Sequence, residues 1–160
     1  MIHASHLSIH LADEEATTRF GQWWAARLHP GMVLLLEGGI GAGKTHFARA
    51  LIRARLGEAL DIPSPTFTLV QTYDDPAGDI WHTDLYRLGH SDEVIELGLD
   101  AAFATAICLV EWPDRLGRLT PPHAIRLAFA PEGEGRRVEV TAPQHPELIA
   151  DARRDWGTDD

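Results

Sequence analysis

The chain is short of several things, and each shortage excludes something. It has one cysteine, Cys108, so no disulfide can close within it. Cys108 lies inside the apolar run Ala106-Ile107-Cys108-Leu109-Val110, where a small buried hydrophobe is expected rather than a reactive thiol. A reducing cytoplasm is the compartment that fits. There is no asparagine, so the N-K-x-D pattern that reads guanine cannot be built. No apolar stretch approaches the ~18 residues of a membrane span. Residues 1–6 lack the basic start and apolar centre of a secretory leader, so none is expected. Basic residues are in deficit: 14 Lys and Arg against 24 Asp and Glu leave a net charge of −10. That argues against a chain that grips nucleic acid by itself, because phosphate contacts need a basic face. Arg49, Arg53 and Arg55 are the local exception, and read as the solvated side of a helix. What remains is 44% hydrophobic and 24% charged over 160 residues, ordinary for a single globular domain with a sizeable core. That domain is expected over residues 1–156, with a frayed tail at 157–160.

The densest information lies at Gly38-Gly39-Ile40-Gly41-Ala42-Gly43-Lys44-Thr45. It reads G-x-x-x-x-G-K-T, the form of a phosphate-binding loop. Met32-Val33-Leu34-Leu35-Leu36 precedes it and has the continuous apolar character of a parallel strand buried on both faces. Residues 44–56 follow, rich in Ala, Arg and Leu, with Phe47, Leu51, Ile52 and Leu56 on one stripe and Gly57 as a stop. Strand, glycine loop and helix thus occur in the order such a loop requires. Glycines let backbone N–H groups turn inward, and the helix N-terminus adds partial positive charge at the same place. Lys44 would reach the β/γ-phosphates, and the Thr45 hydroxyl would ligate Mg²⁺.

Around this loop the chain alternates helix and strand. Residues 5–11 read as a strand. Asp13 caps a helix running to about residue 28, with Glu14 and Glu15 in its first turn. Residues 66–73 and 80–86 read as a hairpin across Asp74-Asp75-Pro76-Ala77-Gly78-Asp79. Ser91 caps a short helix that Gly98 breaks, and residues 100–105 form another helical turn. Residues 106–110 read as a buried strand that delivers Glu111. Residues 124–130 and 136–141 pair as antiparallel strands, and 146–156 form a surface helix. The sum is an α/β chain with a mixed sheet.

A phosphate loop needs an acidic partner, and in open α/β sheets it stands where a buried strand ends. Glu111 and Asp84 both satisfy this. His82, two residues before Asp84, reads equally as packing or as part of the site. Thr66 reads either as a switch residue, because its loop follows the phosphate-loop helix, or as the first residue of a strand.

Taken together, GGIGAGKTHFARAL, SPTFTLVQTY, HTDLYRL, ELGLD and CLVEWPDR resemble the TsaE (YjeE) family over about residues 11–115. The resemblance implies a three-layer P-loop NTPase-type fold that binds ATP or ADP with Mg²⁺. It implies slow ATP hydrolysis alone and action with the TsaB–TsaD pair in threonylcarbamoyladenosine modification of tRNA, with tRNA met only through those partners and no membrane involved. Position by position, it implies that Gly38 and residues Ile40, Gly41, Ala42, Gly43, Lys44 and Thr45 hold nucleotide, and that Thr45 and Glu111 hold Mg²⁺. Lys44, Asp84, Glu111 and Thr66 would serve hydrolysis. Thr66 and Trp112 would be switch or partner residues, and Glu14 would lie in the segment that reaches the base. One position departs: the family's usual Asp after the first loop glycine is Gly39 here. The backbone cradle does not need that carboxylate, so binding is expected to survive.

Three other readings share the loop. A small-molecule kinase would use Arg115, Arg118, Arg136 or Arg137 to clamp phosphate. A GTP switch lacks its guanine-reading motif. A nucleotide-sensing regulatory partner would bind without productive turnover alone.

Overall fold

The computed structural model describes residues 5–39, 41–57, 62, 69–88 and 92–157. Ile40 and Thr66, both expected at the site, and Ser91, expected as a cap, lie outside them. Seven strands form one sheet in the order β1-β7-β6-β2-β5-β4-β3. In chain order the strands are β1 (His6–Leu11), β2 (Val33–Glu37), β3 (Val70–Tyr73), β4 (Ile80–Asp84), β5 (Ile107–Glu111), β6 (Ile125–Glu132) and β7 (Gly135–Thr141). The helices are α1 (Glu14–Ala25), α2 (Lys44–Leu56), α3 (Glu93–Glu96), α4 (Leu99–Thr105) and α5 (Pro146–Trp156). A 3₁₀ segment, Pro113–Leu119, follows β5 and was not expected from the sequence.

The four central strands β4, β5, β2 and β6 run parallel. β3 pairs antiparallel on one side, while β7 and then β1 form the antiparallel arm on the other. Strand alternation divides the core into two layers. Leu34 and Leu36 of β2, with Ile107 and Leu109 of β5, pack against Phe20, Trp24, Phe47 and Ile149 from α1, α2 and α5. Val33 and Leu35, with Cys108 and Val110, pack against Val94, Leu99, Phe103 and Leu116 on the opposite face. Both faces of the central strands are therefore dry, which is why their sequences are apolar without alternation. Cys108 is fully buried, and burial pushes its thiol up to about 12.

Local signals account for most element ends. The Asp13 carboxylate accepts the Ala16 N–H at 2.8 Å and starts α1. That helix stops at Ala25, three residues before the expected end. The N–H groups of Arg27 and Leu28 both fall on the Trp24 carbonyl, while Arg55 takes the Ala25 and Leu28 carbonyls at 2.7 and 3.0 Å. Arg55 is thereby a correction to the expected solvated arginine face: its side chain is only 11% exposed and pairs with Asp75 at 2.7 Å. Arg49 is also engaged, donating to the Ile62 carbonyl at 2.8 Å. The returning hairpin strand ends at Asp84 rather than at residue 86, because the Asp84 carboxylate captures the Tyr86 N–H at 2.9 Å and turns the chain. At α3, Asp92 occupies the cap position without a side-chain cap bond.

Candidate functional site

The site lies at the C-terminal ends of β2, β5 and β4, where open α/β sheets place their ligands. The turn from β2 into α2 is carried by glycines in conformations that exclude most side chains. Gly38, Gly41 and Gly43 have φ of 137°, 80° and 106°. Gly43 occupies the cap position of α2 with no side-chain cap bond. The first-turn amides of α2 thus have no intrahelical partner and no capping side chain among the described residues, the arrangement that favours an anion.

Lys44, the only lysine in the chain, starts α2 and is 5% exposed. Its ammonium donates to the Gly38 carbonyl at 2.5 Å and sits 3.7 Å from the centre of the Trp112 ring. Burial pulls its pKa below the ordinary lysine value, while the carboxylates of Glu111, Asp84 and Asp114 pull the other way. Trp112 reaches this position from a left-handed backbone, φ 58° and ψ 54°, and its ring also contacts Tyr86 at 4.8 Å. A bulky residue held in that region costs about 1–3 kcal/mol, and such strain gathers at functional sites.

The two strand-end carboxylates come together. Asp84 and Glu111 are register partners on parallel strands and are 6% and 2% exposed. Glu111 is the last residue of β5 itself, not a solvent-facing acid beyond it. The Thr45 hydroxyl donates to Glu111 Oε1 at 2.9 Å, and His82 Nε2 lies 2.6 Å from Glu111 Oε2. His82, read equally as packing or as part of the site, is buried and in contact with this acid. A hydroxyl and a carboxylate converging at a phosphate loop are the hard oxygen donors Mg²⁺ prefers. Two such donors suffice for a cation that keeps water and phosphate as its other ligands.

A cavity of about 320 Å³ opens over this constellation. It is lined by Gly41 to His46 together with Asp84, Glu111, Trp112, Glu14 and Arg136. A smaller cavity of about 140 Å³ continues past Gly43 and His46 toward Asp13, Glu14, Thr17 and Glu134. Of the four arginines considered as phosphate clamps, Arg136 alone lines the larger cavity. It donates to the Gly41 carbonyl at 3.0 Å, and its buried Nε has no partner among the described residues. Arg118 and Arg137 are exposed beside Asp92 and Glu132/Glu139, and Arg115 reaches the Leu88 carbonyl at 3.4 Å. His46 was missed by the sequence reading, although its place one residue after Thr45 was a usable signal. The Thr17 position carried no signal.

The family model described as threonylcarbamoyl adenosine biosynthesis protein TsaE matches residues 11–138. The tRNA threonylcarbamoyladenosine biosynthesis protein TsaE of Rickettsia bellii is 43% identical over 117 residues, covering 73% of this chain and 81% of the relative. The Bacillus subtilis protein of the same name is 37% identical over 128 residues, covering 79% and 78%. The crystal structure of Bacillus subtilis YdiB is similar with a TM-score of 0.75 and 27% identity, over 94% of this chain and 96% of that one. With strand, loop, helix and strand-end acids arranged as described, the chain belongs to the TsaE family.

Proposed function

We propose that this protein is a Mg²⁺-dependent ATP-binding and ATP-hydrolysing subunit of tRNA threonylcarbamoyladenosine biosynthesis. Its partners would be TsaD and TsaB homologues, which meet the tRNA. The observation that carries the reading is the 2.9 Å contact between Thr45 and Glu111 across the mouth of the glycine loop. It joins a phosphate cradle to a metal-type donor pair.

The α2 amides and Lys44 receive the polyphosphate, the ammonium exchanging the Gly38 carbonyl and the Trp112 face for phosphate oxygens. Thr45 and Glu111 hold Mg²⁺, which when bound offsets the negative charge building on the phosphates. Glu14 and the smaller cavity receive the ribose and base end. Asp84 donates its own N–H to the Leu69 carbonyl at 2.9 Å, so it is tied to the chain just beyond the segment that contains Thr66. Through that tie Asp84 and Thr66 couple hydrolysis to loop position, and the nucleotide state sets affinity for partners.

Lys44→Ala should lower ADP affinity by about 30-fold or more, a loss of ~2 kcal/mol or above, measured by calorimetry. No other lysine can substitute, and unchanged affinity refutes the nucleotide assignment. Glu111→Ala should depress Mg²⁺-dependent phosphate release more than it depresses ADP binding. Recovery of TsaD and TsaB on the immobilised chain should differ between ATP, ADP and no nucleotide; equal recovery in all three overturns the coupling. Release of phosphate only when the partners are present would favour the nucleotide-sensing alternative over an autonomous ATPase.

A further inference from the structure

One buried polar group at the site has no part in the reading so far. His82 lies in the middle of β4, is 0% exposed, and faces the α2 side of the sheet in the same alternation as Ile80 and Asp84. Its Nε2 is 2.6 Å from Glu111 Oε2, and its Nδ1 is buried with no partner among the described residues. A carboxylate oxygen only accepts, so the hydrogen in this contact belongs to Nε2. Nδ1 meets no such partner among the described residues. For packing alone this is a poor choice: Leu would fill the same space among Ile80, Ile107 and Leu109 without orphaning a polar atom.

The arrangement is accounted for by what Nε2 does. Glu111 Oε2 is tied to His82, and Glu111 Oε1 faces Thr45. With both oxygens held, the carboxylate cannot rotate about its last bond, and Oε1 stays directed at the loop. We propose that His82 is a positioning residue that fixes the Glu111 carboxylate for the divalent cation. This rests on the reading of Glu111 as a metal ligand. It also gives the β3–β4 hairpin a grip on the metal site, because His82 is the register partner of Gln71 on β3. Hydrogen-bonded supports of metal-binding carboxylates are typically worth about 10–100-fold in metal affinity.

The test is divalent-cation affinity in the full chain with ADP. Mn²⁺ serves as an electron paramagnetic resonance probe, and Mg²⁺ competes. ADP affinity in EDTA and the thermal melt are controls. His82→Leu should weaken Mn²⁺ and Mg²⁺ by about 10–100-fold while metal-free ADP affinity stays within about twofold. His82→Gln, whose amide nitrogen reaches the Nε2 position, should recover most of the loss. His82→Asn, whose amide nitrogen reaches only the Nδ1 position, should not. If His82→Leu does not melt cooperatively, the Gln and Asn pair decides, and equal metal affinity in those two overturns the proposal. Metal affinity unchanged in His82→Leu, with Glu111→Ala defective, overturns the positioning role and leaves the metal assignment standing. Metal affinity unchanged in Glu111→Ala overturns both, and identifies the ligand assignment as the error.

Discussion

Gly38 and Gly39 are neighbours under opposite constraints. Gly38 has φ 137°, and a Cβ there would overlap the Phe129 carbonyl of β6. The backbone penalty alone is about 1–3 kcal/mol. At Gly39 a Cβ would meet nothing within 4 Å among the described residues, and the residue is exposed. Gly38→Ala should therefore lower the urea midpoint clearly, whereas Gly39→Asp, which restores the acid usual in the family, should stay within about 0.5 kcal/mol of the parent. Chemical denaturation of the two variants checks this, and equal effects would contradict the geometry. Trp112 is the opposite case, a bulky residue held in the left-handed region where its ring covers Lys44.

Between elements, Arg55 acts as a clasp. From the last turn of α2 it reaches the Ala25 carbonyl at the end of α1, the Leu28 carbonyl just beyond it and the Asp75 carboxylate in the β3–β4 turn. Desolvation pushes the Asp75 carboxyl up, but the Ala77 N–H and the Arg55 guanidinium outweigh it and hold it below the ordinary Asp value. A carboxyl depressed by folding contributes stability above its unfolded pKa, ~3.9, and loses it as pH falls through the folded value. Asp75→Asn should cost about 1.5–3 kcal/mol near neutrality. The gap in melting temperature from the parent should begin to narrow below about pH 3.9, where the unfolded chain protonates, and close only once pH has fallen through the lower folded value. Melts from neutral pH to about pH 3 read this directly, and a gap that widens in acid would contradict the clasp.

At the scale of the whole molecule, the two dry faces of the central sheet fix where the strand ends meet, and charge governs what can approach. With a net charge of −10 the chain repels a polyphosphate such as tRNA except where a local cradle of amides outweighs the long-range field. The chain alone should not retain tRNA on a filter at 0.15 M salt, even at about 100 µM protein. It should still bind ADP under the same conditions. Retention by the chain alone would mean that it has a nucleic-acid face of its own. Among the described residues, no helix is long and apolar enough to cross a membrane.

The amino-acid sequence by itself determined whatever is written locally. The glycine loop, both ends of α2 at Lys44 and Leu56, the Asp13 cap, the limits of α5 and the apolar runs that lead to Glu37 in β2 and Glu111 in β5 all follow from neighbours within a few residues. It also placed Glu111 and Asp84 at strand ends, from the rule that such acids serve the loop. Only the tertiary structure decided what those acids touch. Thr45 and Glu111 are 66 residues apart, and their contact depends on β2 and β5 pairing in parallel register. The same holds for His82 against Glu111, for Arg136 carried to the cavity by the returning β7, and for Arg55 drawn in from the presumed solvent face. Parallel register is set by how crossover helices pack on the sheet. No short-range pattern in the chain encodes it, so side chains that meet through it become legible only once the sheet has formed.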